Sequence, residues 1–228
     1  MGITITSWNC QGNSPDTISQ SAGRIIHPQD SNIVLIQEAG SLGKCAGRII
    51  DVKIAGKSYK AYFEEQEDAS NKRCTTGILV DAKLWGSIVT TIDKCNFMGV
   101  RRPLVFCIID LGPALLYVST IHATANHKTS KDEIKLICDS WTKTCRSTDN
   151  CWILMGDMNC AADELDIKHA CKIAPDKPTQ KSGQILDYAI MSPDLEPCVA
   201  RFNGGSRVWV DEAYRDSDHL AVKICLDL

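Results

Sequence analysis

The chain has 228 residues, 44% of them hydrophobic and 23% charged, which is long enough for one sizeable core and short for two, so a single domain over residues 1–228 is expected. Its formal net charge of −3 excludes a generally basic surface as the means of holding a polyanion, and any nucleic-acid contact has to be local. No apolar run approaches the roughly 18 residues of a membrane-spanning helix, and the first strand-like run starts too early to leave room for a signal peptide.

Taken in chain order, residues 3–8 alternate Ile3 and Ile5 with polar partners and predict a strand that ends on Asn9. A helix is expected over 17–26. Ile33-Val34-Leu35-Ile36 then forms a fully apolar run that ends in Gln37-Glu38, the pattern of a buried strand delivering polar groups at its mouth. A second helix is expected around 46–52 and a loop over 64–73. Strands follow at 76–80, 104–111 and 115–121, with Leu111-Gly112-Pro113-Ala114 as the hairpin turn between the last two. The clearest helix begins at Ser130, where Ser130 and Glu133 match a capping box and Ile134, Ile137, Cys138, Trp141 and Cys145 recur at helical spacing. A strand at 152–155 runs into Gly156-Asp157-Met158-Asn159, a loop covers 175–183, and strands at 186–191 and 220–226 complete the chain. Many strands with interspersed helices predict a layered sandwich with helices outside, rather than a strictly alternating parallel sheet.

Twelve cysteines, even in number and without Cys-x-x-Cys spacing, predict several disulfides and hence a secreted protein. The competing reading makes them small buried apolar residues of a reduced, cytoplasmic protein.

The chemistry-bearing residues collect at strand ends. Ser217-Asp218-His219, just before the last apolar strand, sets a carboxylate beside an imidazole. Asn9, Glu38, His122 and Asp157 each end another predicted strand, and Asp187 begins one. Each has an ordinary structural explanation by itself: an Asn or an Asp-His pair turns the backbone, a histidine at a core edge is commonly structural, and Asp187 reads equally as a strand-start residue. Glu38 is harder to dismiss, because a carboxylate leaving an apolar strand wants a partner, and a hard divalent cation prefers oxygen ligands. Several such ends in one chain point to a built site for metal-assisted phosphoester chemistry. A P-loop is excluded: Gly56-Lys57-Ser58 lacks the glycine required at position 51, which is Asp51.

Trp8-Asn9-Cys10-Gln11-Gly12, Gln37-Glu38-Ala39-Gly40, Arg102-Pro103, His122-Ala123, Gly156-Asp157-Met158-Asn159, Leu186-Asp187-Tyr188 and Ser217-Asp218-His219 stand in an order that resembles the endonuclease/exonuclease/phosphatase superfamily. The resemblance covers residues 4–222. Gln37 to Ser41, with the arginine-proline pair, is most similar to the catalytic B subunits of cytolethal distending toxins, relatives of deoxyribonuclease I. It implies an α/β four-layered sandwich, two packed β-sheets flanked by helices, with the site at one end.

The same resemblance implies Mg²⁺, with Mn²⁺ as a substitute, held by Glu38 with Asn9 and Asp218 as direct or water-mediated ligands. It implies His219 as catalytic histidine oriented by Asp187, His122 as a second histidine supporting the phosphate or leaving oxygen, and Asp157 and Asn159 positioning the attacking water and a phosphate oxygen. Arg102 would contact a substrate phosphate, with Arg101 the alternative if the register slips by one. Some members pair the second histidine with a glutamate, for which Glu64 or Glu65 is the candidate. Asn13, Asn71 and Asn126 are further candidate phosphate contacts. The cysteine content and short loops depart from the toxin pattern and suggest a reshaped member.

Two function classes follow. The first is a Mg²⁺-dependent endodeoxyribonuclease acting on DNA as a genotoxin, secreted with or without delivery subunits and working in the nucleus of a target cell. The second is a phosphatase for phosphoinositides or another small phosphoester, for which a clustered basic rim would be expected. The close basic groupings are Lys72-Arg73 and Arg101-Arg102. A catalytically inactive binding module is disfavoured because every expected catalytic position is filled.

Overall fold

A computed structural model describes residues 2–11, 31–39, 46–54, 56–65, 75–100, 102–201, 207–211 and 217–228. They form two packed sheets. The strands of the first are β1 (Gly2–Asn9), β2 (Ile33–Gln37), β3 (Ile49–Ile54), β4 (Lys57–Glu65), β5 (Thr75–Asp81), β12 (Trp209–Asp211) and β13 (Ala221–Asp227), in the order β12-β13-β1-β2-β5-β4-β3. The second contains β6 (Val89–Cys95), β7 (Leu104–Asp110), β8 (Leu115–His122), β9 (Cys151–Asp157), β10 (Cys171–Ile173) and β11 (Asp187–Met191), in the order β10-β11-β9-β8-β7-β6. Near the middle of each sheet one pair is parallel, β1 with β2 and β8 with β9, and the other pairings are antiparallel. Each parallel pair therefore delivers two strand C-termini to the same end of the sandwich.

The period-two alternation of side chains builds the layers. Ile3 and Ile5, Ile33 and Leu35, Leu116 and Val118, Ile153 and Met155, and Ala189 and Met191 point between the sheets and make one buried core. The alternate residues of the six-stranded sheet, including Ile121, Trp152, Leu154 and Ile190, pack on helix α1 (His127–Cys145) through Ile134, Ile137, Cys138 and Trp141. The outer face of the seven-stranded sheet is buried as well, around Trp8, Ile36, Tyr59 and Phe63. The sandwich expected from the sequence is thus the fold observed. The helix expected over 17–26 lies outside the described residues.

Gly156 holds the central parallel pair together. A Cβ on it would stand 2.0 Å from the backbone oxygen of Ile121, so only glycine lets β9 approach β8 this closely. The hairpin expected at residues 111–114 is present, closed by Leu111 N–H donating to Ala114 O, with Gly112 at φ +88°.

Three local expectations are corrected. Residues 46–52 do not form a helix. Ile50, Val52 and Ile54 alternate on one face of edge strand β3, which pairs with β4 from Ile49 opposite Tyr62 to Ile54 opposite Lys57. Helix α1 starts at His127 rather than Ser130: Asn126 Oδ1 accepts from Thr129 N–H at 3.1 Å, while the Glu133 carboxylate takes Thr124 N–H and Thr124 Oγ–H at 2.9 and 2.8 Å. Asn126 is accordingly a helix cap. Asn13 and Asn71 lie outside the described residues.

The third correction concerns the cysteines. None of the ten described ones is in a disulfide, and Cys45 and Cys74 lie outside the described residues. Cys10, Cys107, Cys138 and Cys160 are fully buried and fill apolar space, and burial pushes the Cys107 thiol up to about 12. The case for a secreted protein, which rested on bridges, has no support from these thiols. Among the described residues no helix is long and apolar enough to cross a membrane.

Candidate active site

At one end of the sandwich the inward-facing positions change from apolar to polar. Ile3-Ile5 continues in the same alternation to Ser7 and Asn9, Leu35 to Gln37, Val118 to Thr120 and His122, and Met155 to Asp157, while Asp187 precedes Ala189. The site is the mouth of the core between the sheets. Its innermost polar groups, Asn9, Asp157 and Asp187, are buried.

Asp157 Oδ2 is the hub. It accepts from Asn9 Nδ2 at 2.9 Å and stands 3.6 Å from His122 Nε2 and 3.7 Å from His219 Nε2. Glu38 Oε1 lies 3.3 Å from His122 Nε2 and 3.5 Å from Asn9 Nδ2. Across the cavity His219 Nδ1 is 2.8 Å from Asp187 Oδ2, and Asp218 Oδ1 is 3.9 Å from His219 Nε2. Asn159 donates its amide to Ala123 O at 2.8 Å and its N–H to Asp157 Oδ1 at 3.0 Å. Arg102 donates to His122 O at 3.3 Å, and Arg101 lies outside the described residues. Glu38, Arg102, His122, Asp157, Asn159, Asp218 and His219 line one cavity of about 340 Å³, with Asn9 and Asp187 supporting them from below.

Backbone conformation helps to aim these groups. Glu38, Asn159 and Gln11 have φ of 51°, 50° and 52°, the left-handed region that non-glycine residues seldom adopt. At Glu38 it ends the β2 alternation and turns the carboxylate toward His122.

Electrostatics separate the two histidines. For His219 burial would favour the neutral ring, yet the hydrogen bond and charge of Asp187, with Asp157 and Asp218 behind, push it up to about 9. Burial pushes His122 well below its ordinary value, reinforced by Arg102 and His219. Burial also raises Asp157, as does the charge of Asp187, against the lowering pull of His219 and Asn9.

Such a set of groups suits a hard divalent cation. Glu38 and Asp157 oxygens converge with Asn9, the Asp218 Oδ1 and Asp187 Oδ1 atoms are buried without a hydrogen-bond partner among the described residues, and Asp157, Asp187 and His219 each direct one ligand-capable atom into a common cluster.

The glutamate expected to support His122 is not Glu64. Its carboxylate accepts from Tyr62 Oη–H at 2.7 Å and pairs with Lys94 at 2.5 Å, because the alternation of β4 faces it toward β6. The carboxylates facing His122 are Glu38 and Asp157, and its Nδ1 has no partner among the described residues. The Glu65 side chain is not among those described.

Several supporting residues carry no warning in the sequence. Thr179 Oγ1 accepts the N–H groups of both Leu186 and Asp187, at 3.0 and 3.1 Å, and so fixes the start of β11. Gln180 stands 3.3 Å from His219 Nε2. Ser217 Oγ, in the segment before β13, donates to Asn9 O at 2.8 Å. Gln11 Oε1 accepts from Asp218 N–H at 3.0 Å, and its place within Trp8-Asn9-Cys10-Gln11-Gly12, like that of Ser217 within Ser217-Asp218-His219, was the available signal.

A profile of the Endonuclease/Exonuclease/phosphatase family matches residues 6–219. No curated protein matches the chain. Among solved structures, the Haemophilus ducreyi cytolethal distending toxin is similar at 22% identity, TM-score 0.63, over 99% of this chain and 98% of that one. CdtB, the biologically active subunit of cytolethal distending toxin, aligns at 19% identity and TM-score 0.67 over 97% and 96%. Truncated Caenorhabditis elegans TDP2 aligns at 15% identity and TM-score 0.68 over 99% and 97%. At these identities the likeness is one of fold.

Proposed function

The chain belongs to the endonuclease/exonuclease/phosphatase family, and from that premise we propose that it is a Mg²⁺-dependent endodeoxyribonuclease that cuts DNA as a genotoxin of the cytolethal distending toxin type. The observation that carries the reading is the meeting, at one cavity, of a buried Asp187–His219 pair at 2.8 Å and the Glu38–Asn9 contact, with Asp157 between them. A proton-handling pair and an oxygen-rich cation seat are the two requirements of metal-assisted phosphodiester hydrolysis. DNA as substrate follows the likeness of Gln37 to Ser41 to the toxin subunits. Delivery subunits and action in the nucleus of a target cell belong to the same reading.

Glu38, with Asn9 and Asp218, would hold the cation, Mg²⁺ or Mn²⁺ in its place. When bound it supplies Lewis-acid stabilisation of charge on the phosphoryl oxygens. Arg102 at the cavity rim binds a non-bridging oxygen of the scissile phosphate. Charged His219, oriented by Asp187 on its far nitrogen, presents Nε2 to the cavity, where it offsets phosphoryl charge and supplies a proton to an oxygen. Asp157, raised by burial, is the carboxylate suited to take a proton from the attacking water near neutral pH. Asn159, anchored on Ala123, keeps Asp157 aimed.

The phosphoinositide alternative is less well supported. Among the described residues Arg102 is the one lysine or arginine lining the cavity, and a headgroup with several phosphates needs more positive charge than that. Incubation with supercoiled plasmid in Mg²⁺, run beside phosphate release from a phosphoinositide, tests the choice. Nicking that is lost with chelator and in His219→Ala is expected. Intact plasmid with phosphate release would transfer the assignment to the phosphatase.

A further inference from the structure

We infer that Gln37 is a positioning residue for the cation side of the site: its side-chain amide ties together the three strands that carry Asn9, Glu38 and His122. The inference rests on the metal-dependent reading above. Gln37 is fully buried at the end of β2. Its Nε2 donates to Ser7 Oγ at 3.1 Å and to Thr120 Oγ1 at 2.7 Å. Ser7 lies on β1 two residues before Asn9, and Thr120 on β8 two residues before His122, each on the same strand face as the site residue it precedes. Gln37 itself is bonded to Glu38. One amide therefore uses both its hydrogens, one within the seven-stranded sheet and one across to the six-stranded sheet, a single layer beneath the Glu38–His122 contact of 3.3 Å.

The layer below cannot do this. Leu35, Ile5 and Val118 fix how far apart the sheets stand, but apolar contact is non-directional and leaves their lateral register loose. A hydrogen bond in a dry interior is directional and sets that register to within tenths of an ångström. Either orientation of the amide keeps the tie, since the Ser and Thr hydroxyls can donate as well as accept. The arrangement is not the one best suited to stability. Gln37 Oε1 is buried with no partner among the described residues, and an unsatisfied buried acceptor costs about 1–3 kcal/mol that a leucine of similar size would avoid. A group kept at such a cost, one residue from a carboxylate in strained backbone, is explained by the geometry it imposes on Glu38, Asn9 and His122.

The test is Mn²⁺ binding to the full chain, followed by electron paramagnetic resonance of the free ion, in wild type, Gln37→Leu, Thr120→Val and Thr120→Ser, with far-ultraviolet circular dichroism and Tm to establish folding. Gln37→Leu and Thr120→Val should each weaken Mn²⁺ binding by about tenfold or more, as loss of a partner behind metal ligands commonly does. Thr120→Ser, which keeps the hydroxyl, should bind close to wild type. Folded Gln37→Leu and Thr120→Val proteins that bind Mn²⁺ like wild type overturn the inference. So does Thr120→Ser weakening as much as Thr120→Val, since packing would then be the cause. If Gln37→Leu does not fold, the Thr120 pair decides alone. A wild type that binds no Mn²⁺ overturns the metal-dependent reading and this inference with it, whereas a binding wild type with indifferent variants overturns this inference alone.

Discussion

Asp187 Oδ2 lies 2.8 Å from His219 Nδ1 with both side chains buried, and this contact raises His219 while burial lowers His122 on the other side of Asp157. Two histidines in one cavity are thereby set apart, His219 by its carboxylate neighbours and His122 chiefly by burial. If the pair works as a unit, Asp187→Ala and His219→Ala should each lower kcat/KM by about a thousandfold or more, and the double variant should lose little beyond the worse single one. Losses that multiply would show that the two side chains act separately.

The same contact makes stability depend on pH. The folded value of His219 is raised from 6.5 to about 9, so its contribution is fully present below pH 6.5 and is lost as pH rises through about 9. In metal-free protein the unfolding free energy should fall across this window by on the order of 2–3 kcal/mol. Asp187→Asn should flatten most of that fall, because the hydrogen bond and the charge that raise the ring are both weakened. The buried Asp157 contributes a loss of the same sign at lower pH, and the buried thiols, raised by burial, contribute one above their unfolded value of about 8.5, so the difference between wild type and Asp187→Asn is the diagnostic quantity. Urea titrations in chelator at several pH values measure it, and an Asp187→Asn curve parallel to wild type would count against the assignment.

Glu38 should be needed for activity and for cation binding but not for folding. It is partly exposed at the cavity mouth, so Glu38→Ala should melt near the wild-type Tm while losing about a hundredfold or more in rate. Glu38→Gln, which keeps the shape and removes the charge, should be nearly as impaired. Either variant keeping most of its rate at ordinary Mg²⁺ would remove Glu38 from the cation seat.

Gly156→Ala should destabilise the protein by about 3 kcal/mol or more. The added Cβ meets the Ile121 backbone oxygen at 2.0 Å, and a backbone atom cannot rotate aside as a side chain can. Because Gly156 and Ile121 directly precede Asp157 and His122, which pair across β9 and β8, residual folded protein should also lose activity beyond the loss of folded population. Chemical denaturation with activity normalised to folded protein separates the two effects, and an unperturbed melting curve would refute the close approach.

The fold class and the strand ends that carry Asn9, Glu38, His122, Asp157 and Asp187 were legible from sequence. A buried strand is written in contiguous apolar residues, and the polar residue that ends it is its direct neighbour. The edge strand β3 was not legible, because Ile49 to Ile54 is short and half exposed, and its pairing with β4 outweighs a local pattern compatible with helix. The helix start was misread for a related reason. Ser130 and Glu133 carry a capping spacing, but Asn126 caps the helix and Glu133 is drawn to Thr124.

What only the tertiary structure decided is which groups meet. Asn9 and Asp157 are 148 positions apart and share a hydrogen bond of 2.9 Å. Glu38 rather than Glu64 faces His122, because the alternation of β4 turns Glu64 toward Lys94. The ties of Gln37 to Thr120 and of Thr179 to Asp187 likewise join distant segments. The cysteines make the same point, since an even count says nothing of where the thiols stand, and burial of four in apolar layers removed the signal for bridges. Composition and alternation determine which face of a strand is buried, a property of consecutive residues. The partner of a buried polar group is set by sheet order and by the register between sheets, which arise when distant strands pack.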